Sequence, residues 1–292
     1  MNELVSVVIP TYNREKTIIR AINSVLNQTY ENIEVIVVDD CSTDNTSETI
    51  TKYVQDKRVR YHKLNKNSGA CVARNEGVKL SLGKFIAFQD SDDIWLPNKL
   101  DEQMDFLING GFDFVTCGFI RKSNNKITKL GYREIGKDPE EIWCKLINGN
   151  WVSTQTILCY KSCFDQISFD SNVKRFQDWD LALQASLNFK IGSLDKCLVE
   201  VEIQNDSITK QVKAQNSLIS ILDKHTKDAK NNIMRAQLFK SYGDVYRDDN
   251  ILKSCEYYIK SMSQKSSMKT FLLFILTLTG IIRVYDRKFM GL

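Results

Sequence analysis

Three short and mostly apolar runs, Val5 to Ile9, Ile33 to Val38 and Phe85 to Phe88, interrupted by Ser6 and Glu34 alone, restrict the fold of this chain more than anything else in it. A strand that is apolar at nearly every position has both faces covered, which is the situation of a strand in a parallel sheet with helices on each side. Between the runs the period changes. Ile18, Ala21, Ile22, Val25 and Leu26 share one face of a helix expected over about 15–27, and further helices are expected after Ser42 to Thr46 and over 70–80. With a strand over 59–64 added, strand and helix alternate through short links. That pattern predicts a doubly wound, Rossmann-like and mostly parallel sheet flanked by helices, whose ligands lie beyond the carboxyl ends of its strands.

Every one of those strands ends in polar residues that folding alone does not require. The first runs into Pro10, Thr11 and Tyr12, the second into Asp39 and Asp40, and the last into Asp90, Asp92 and Asp93, three carboxylates within four residues. Such a cluster repels itself unless a cation or a positive ligand neutralises the field. Oxygen ligands alone suit a hard ion, Mg²⁺ or Mn²⁺, above all one that also grips a diphosphate. For an Asp-x-Asp taken alone, a solvated acidic turn is an even alternative. Its repetition along one sheet edge favours a site.

Beyond Pro97 the spacing predicts a helix over 98–108, a strand over 112–119, a hairpin across 121–129, a short helix opened by Pro139, and a strand over 152–160. Trp143 reads as core, whereas Trp151 stands at a strand start and is open to a substrate role. Arg175 to Asp180 leads into an amphipathic helix, where Asp178 is either an N-cap or a functional carboxylate. A last strand is expected over 194–203. From about 212 onward the chain reads as helical, in segments near 215–226, 231–246, 251–262 and 268–289.

The net charge of +4 hides an asymmetry, with 25 Lys/Arg against 29 Asp/Glu in residues 1–209 and 15 against 7 in residues 210–292. The basic residues of the tail are dispersed among apolar helix faces, which argues against nucleic acid. The apolar run from Phe271 to Ile282 is shorter than the ~20 residues a membrane span needs. With Lys269, Arg283, Arg287 and Lys288 around it, it suits the headgroup region of an anionic membrane, and packing on protein or on a second subunit is the equal alternative. The eight cysteines are scattered, with no pair at metal-ligand spacing, and read as reduced thiols. No signal-peptide pattern opens the chain. A cytoplasmic location is expected, peripheral to the inner membrane if the tail binds lipid.

Five segments taken together, Val7 to Asn13, Val38 to Asp44, Asn67 to Asn75, Asp90 to Asp93 and Gln177 to Leu181, resemble the family 2 glycosyltransferases of the GT-A fold, of the bacterial surface-polysaccharide type. The resemblance covers roughly residues 4–208. It implies a catalytic domain over 1–209, with a nucleotide-sugar half to about 95 and an acceptor half after it, and a helical region over 210–292. It further implies that Pro10, Thr11 and Tyr12 line the nucleotide pocket, that Asp40 accepts from the uracil N–H, and that Arg74 lies near the base or the diphosphate. Asp90, Ser91 and Asp92 match the family's Asp-x-Asp motif, so Asp92 and Asp90 would serve Mn²⁺ or Mg²⁺. Asp178 matches the base of an inverting transfer from a UDP-sugar to a glycan or lipid-linked acceptor, with Trp151, Gln177 and Trp179 as acceptor contacts.

Two departures stand out. Members of the family commonly have Glu where this chain has Gln177, and many carry a histidine near the position of Gln204, where Gln204 or Asn205 is the remaining polar choice. Two rival readings follow, a transferase with a polyprenyl-phosphate acceptor and a sugar-nucleotide binding protein without catalysis. Retention of Asp90, Asp92 and Asp178 together disfavours the second. Homo-oligomers through the C-terminal helices are a further expectation.

Overall fold

Strand β1 (Val5–Thr11) is the axis of the sheet, with β2 (Ile33–Asp39) parallel on one side and β4 (Phe85–Phe88) parallel on the other. The computed structural model describes residues 3–52, 55–123, 126–132, 135–136, 138–202 and 214–279. All seven residues of β1 and of β2 are buried, including the polar Ser6 and Glu34, whose side chains pair as the Ser6 hydroxyl donates to Glu34 Oε1 at 2.6 Å. Strand β3 (Val59–Lys63) extends the parallel set beyond β2. Helices α1 (Ile18–Leu26), α2 (Thr46–Thr51) and α3 (Ala70–Leu80) connect these strands. Ile18, Ala21, Ile22 and Val25 are the buried face of α1, as their spacing predicts. Helix α3 rides close over β1 because Gly77 has no side chain; a Cβ there would lie 2.3 Å from Val8 Cγ1.

Past β4 the sheet becomes mixed. A two-residue strand β5 (Ile94–Trp95), helix α4 (Lys99–Asn109) and the hairpin β6 (Phe114–Ser123) and β7 (Lys126–Leu130) follow in the chain. Strand β8 (Leu158–Tyr160) then pairs antiparallel with β4 and β6, and β9 (Ile191–Glu202) runs parallel to β6. The nine strands lie in the order β3-β2-β1-β4-β8-β6-β9-β5, with β7 beside β6. The parallel set therefore holds the first half, and the second combines antiparallel pairs with the parallel pair β6 and β9.

The strand expected over 152–160 is shortened to β8. Thr154–Thr156 forms a turn of 3-10 helix, in which the Ser153 carbonyl accepts from both the N–H and the hydroxyl of Thr156, at 2.9 and 2.6 Å. Ser and Thr side chains that bond nearby backbone compete with a strand ladder, and here they win. Helix α6 (Gln177–Asn188) precedes β9.

The chain divides into two compact units, one of residues 1–139 and 151–207 and the other of residues 140–150 and 208–292. The second is helical: α5 (Pro139–Ile147), α7 (Ala214–Lys224), α8 (Asn232–Tyr246), α9 (Ile251–Gln264) and α10 (Met268–Leu278). Trp143 is fully buried, the core role its helix spacing suggested. Side chains of Asn231, Asn250 and Ser267 cap α8, α9 and α10. The helix expected over 268–289 is described as far as Leu278, and its remainder, like Gln204 and Asn205, lies outside the described residues.

Candidate active site

The carboxyl ends of β1, β2 and β4 open onto one edge, and the loops that follow them are stitched together by backbone hydrogen bonds. Asp40 N–H donates to the Thr11 carbonyl at 2.8 Å, Asn13 N–H to Ser42 Oγ at 2.9 Å, Thr43 N–H to Asn13 Oδ1 at 2.9 Å, and Arg14 N–H to Thr46 Oγ1 at 2.8 Å. Asp39 is fully buried, accepting from Ser42 N–H and from the Tyr61 hydroxyl at 2.6 Å. Burial first, and then that carboxylate, push the Tyr61 phenol up to about 12. Asp40 accepts from the N–H groups of Ser68 and Gly69 at 2.6 and 2.7 Å, which fixes the turn into α3. Gly69 takes φ +91°, a conformation open to glycine at no steric cost.

Pro10 and Thr11 are buried, with Thr11 Oγ1 making no hydrogen bond, and Tyr12 is 41% exposed beside them. An exposed aromatic ring next to a buried polar strand end can stack on a planar base.

Gln89 N–H continues the ladder to the Val8 carbonyl, its amide donates to the Asp93 carbonyl at 2.7 Å, and Asp93 N–H donates to the Asp90 carbonyl at 3.2 Å. The acidic turn is thus closed on itself, with Ser91 and Asp93 buried and the carboxylates of Asp90 and Asp92 partly exposed. Arg14 Nε lies 3.7 Å from Asp92 Oδ2, and Arg20 donates to the Asp92 carbonyl at 2.8 Å. Neither arginine stands out from spacing, although Arg14 is two residues beyond Tyr12 in the same loop.

Arg74 ties the two halves of the site together. The guanidinium, buried and 5.3 Å from the centre of the Phe169 ring, donates to Asp90 Oδ1 and to Gln177 Oε1, both at 2.9 Å. Gln177 opens α6 and Asp178 follows it. Asp178 Oδ1 accepts from Trp179 N–H at 2.7 Å, and loss of surrounding water drives its carboxyl up from the ordinary 3.8 to about 6, with Trp179 N–H and Arg74 opposing the rise and Asp90 adding to it. Trp179 is buried edge-on to Phe176, and Trp151 is buried as well.

The non-glycine residues with positive φ among those described, Asn13, Cys41 and Phe176, all lie on this rim, next to Tyr12, Asp40 and Gln177 respectively. Such conformations cost about 1–3 kcal/mol each and persist where surrounding structure imposes them, often at functional sites.

A divalent cation fits the acidic turn in one way. Among the described residues no group of three or more His, Cys, Asp and Glu side chains gathers to hold an ion unaided. Asp90 and Asp92 supply hard oxygen donors on one turn. Mg²⁺ is commonly held in this manner, by one or two carboxylates with substrate phosphates completing its shell.

A parallel first half, a mixed second half and a strand-end acidic turn together define the GT-A architecture. The same fold is seen in S. aureus TarS (1–349) in complex with UDP-GlcNAc, with a TM-score of 0.70 and 20% identity over 94% of this chain and 92% of that one. The description "Glycosyl transferase family 2" matches residues 6–170, and the chain belongs to that family. It is 32% identical over 213 residues to TuaG of Bacillus subtilis, a glycosyltransferase named for teichuronic acid biosynthesis, covering 70% of this chain and 81% of that protein. It is 36% identical over 169 residues to WfgD of Escherichia coli, named a UDP-Glc:alpha-D-GlcNAc-diphosphoundecaprenol beta-1,3-glucosyltransferase, covering 57% of this chain and 64% of the other. Against three curated relatives from Rickettsia species, the chain spans between 29% and 48% of their length.

Proposed function

We propose that this chain transfers a sugar from a UDP-sugar to a hydroxyl of a glycan or lipid-linked acceptor, inverting the anomeric carbon, in the building of a surface polysaccharide. Arg74 carries the reading. One guanidinium reaches Asp90 of the acidic turn and Gln177 of the base-bearing helix, so the two walls stand a single side chain apart. Tyr12 would stack on the uracil, and Asp40, with both oxygens already engaged by backbone, retains lone pairs for the uracil N–H.

In the transfer, Asp178 takes the proton of the acceptor hydroxyl as that oxygen bonds to the anomeric carbon. The bond from this carbon to the diphosphate oxygen breaks on the opposite face and UDP leaves. A single displacement of this kind inverts the centre. With its carboxyl near 6, Asp178 is ionised at neutral pH yet more basic than an ordinary aspartate, which suits a general base. Mg²⁺ or Mn²⁺ held by Asp92 and Asp90 would offset the charge developing on the departing diphosphate. Gln177 and Trp179 flank the base on the acceptor side. The printed name of WfgD supports a diphosphate-lipid acceptor, and an acceptor of that kind would be met at the cytoplasmic face of the inner membrane.

The test is a panel of UDP-sugars with Mn²⁺ or Mg²⁺, read as release of UDP. Asp178→Asn should abolish release while the Kd for UDP stays within about threefold, whereas Asp92→Ala should weaken metal-dependent UDP binding about tenfold or more. Equal loss of UDP affinity in both variants contradicts the division of roles.

A further inference from the structure

The apolar residues of α10 face the wrong way for a helix packed inside a protein. Met268, Phe271, Leu272, Ile275 and Leu278 recur at helical spacing and are between 37% and 74% exposed, while Thr270 and Thr277 are buried.

The neighbouring helices explain the inversion. Tyr242-Gly243, Tyr246, Cys255 and Ile259 follow the spacing of a tetratricopeptide helix–turn–helix, a repeat of about 34 residues. Gly243 is needed for its closeness, because a Cβ there would lie 2.5 Å from Tyr258 Cε1. Helix α9 packs against both α8 and α10. One repeat further on, Ala236 and Gly243 of α8 become Thr270 and Thr277 of α10, and all four are buried. Helix α10 is therefore the first helix of a second repeat. On α8 the counterparts of Met268, Leu272 and Ile275 are Met234, Leu238 and Ser241, all buried, and the Ser241 hydroxyl donates to the Ile147 carbonyl at the end of α5. On α10 that same face is uncovered among the described residues. Helical arrays normally end on a polar outer face.

Charge says what meets it. Between Glu256 and Asp286 the sequence has no carboxylate, while Lys260, Lys265, Lys269 and Arg283 fall in that interval. Lys265 and Lys269 are exposed at the amino end of the stripe. A partner helix would meet uncompensated positive charge, whereas an anionic bilayer matches both the apolar stripe and the lysines. No described helix is long and apolar enough to cross a membrane, so this contact lies in the interfacial plane. The geometry points to α10 as a surface that seats the chain on anionic lipid. It does not depend on the catalytic reading, because none of these residues belongs to the rim.

Co-sedimentation of the full chain with vesicles tests this, comparing phosphatidylcholine alone with phosphatidylcholine and phosphatidylglycerol mixed. The chain should bind the mixed vesicles and bind the neutral ones weakly. Phe271→Ser, Leu272→Ser and Ile275→Ser combined should lower partitioning about tenfold or more, with Tm and UDP binding unchanged. Lys265→Glu with Lys269→Glu should remove the preference for the anionic lipid. The inference is overturned if the full chain ignores mixed vesicles, or if the triple variant binds them as well as wild type. It is equally overturned if the triple variant loses several degrees of Tm, since the stripe is then covered within the chain. Light scattering that shows a dimer dissociated by the triple variant, without vesicle binding, assigns the face to a second copy instead.

Discussion

Replacing Asp178 should leave a more stable protein, by an amount that follows from its environment. Asp178 has its folded carboxyl at about 6, against 3.8 for an ordinary aspartate. For an acid raised in this direction, the folded state holds its proton more tightly than the unfolded state does. The cost to stability is absent below about pH 4, grows as pH rises through the interval, and is complete above about pH 6. A shift of this size corresponds to at most about 3 kcal/mol, and water reaching the half-buried side chain reduces it to about 1–2 kcal/mol. Asp178→Asn keeps the oxygen that accepts from Trp179 N–H and removes the charge. For a unit of this size, about 1–2 kcal/mol raises Tm by about 2–8 °C. Differential scanning fluorimetry at pH 7.5 should show that gain, and the gain should vanish at pH 4. A lower Tm for the variant at pH 7.5, or an equal gain at both pH values, would refute the desolvation argument.

Two further predictions concern groups outside the reaction. Lys99 is fully buried, its ammonium 3.8 Å from the Trp95 ring centre and donating to Gln103 at 2.6 Å, and burial lowers it to about 8 from 10.5. A lysine lowered in this way costs stability below about pH 8 and the cost disappears towards pH 10.5, so wild type should gain on Lys99→Met by up to about 3 kcal/mol between pH 7.5 and pH 10 in urea unfolding. A constant difference across that range would show that burial does not lower Lys99 from its ordinary value. Tyr61→Phe removes the hydroxyl that donates to buried Asp39 and lies 2.9 Å from Ser47 Oγ, and urea unfolding should show a loss of about 1–3 kcal/mol.

The parallel half was legible because its signals are local. Mostly apolar strand runs, Ala70 to Leu80 and the turn residues around Gly69 each announce their structure within a few positions, and the acidic turn after Phe88 follows from strand-end logic. What escaped depends on contacts between distant positions. Arg74 and Gln177 are separated by 103 residues, and only the closed sheet brings them together. Strand β5 is too short to show a period and exists through its pairing with β9. Residues 140–150 carry the pattern of an ordinary amphipathic helix, and nothing in that pattern says that they join the C-terminal helices. Trp151 stands open to a substrate role by its polar neighbours, and the fold buries it, which no local pattern announces.

The interlaced loops after β1 and β2 bear on affinity as well as shape. Asn13 N–H already donates to Ser42, Arg14 N–H to Thr46 and Ser68 N–H to Asp40, so an arriving nucleotide would meet a preformed cradle and little chain ordering would count against its binding. Bare UDP should consequently be held nearly as well as the intact donor, which makes product escape a natural slow step of the cycle.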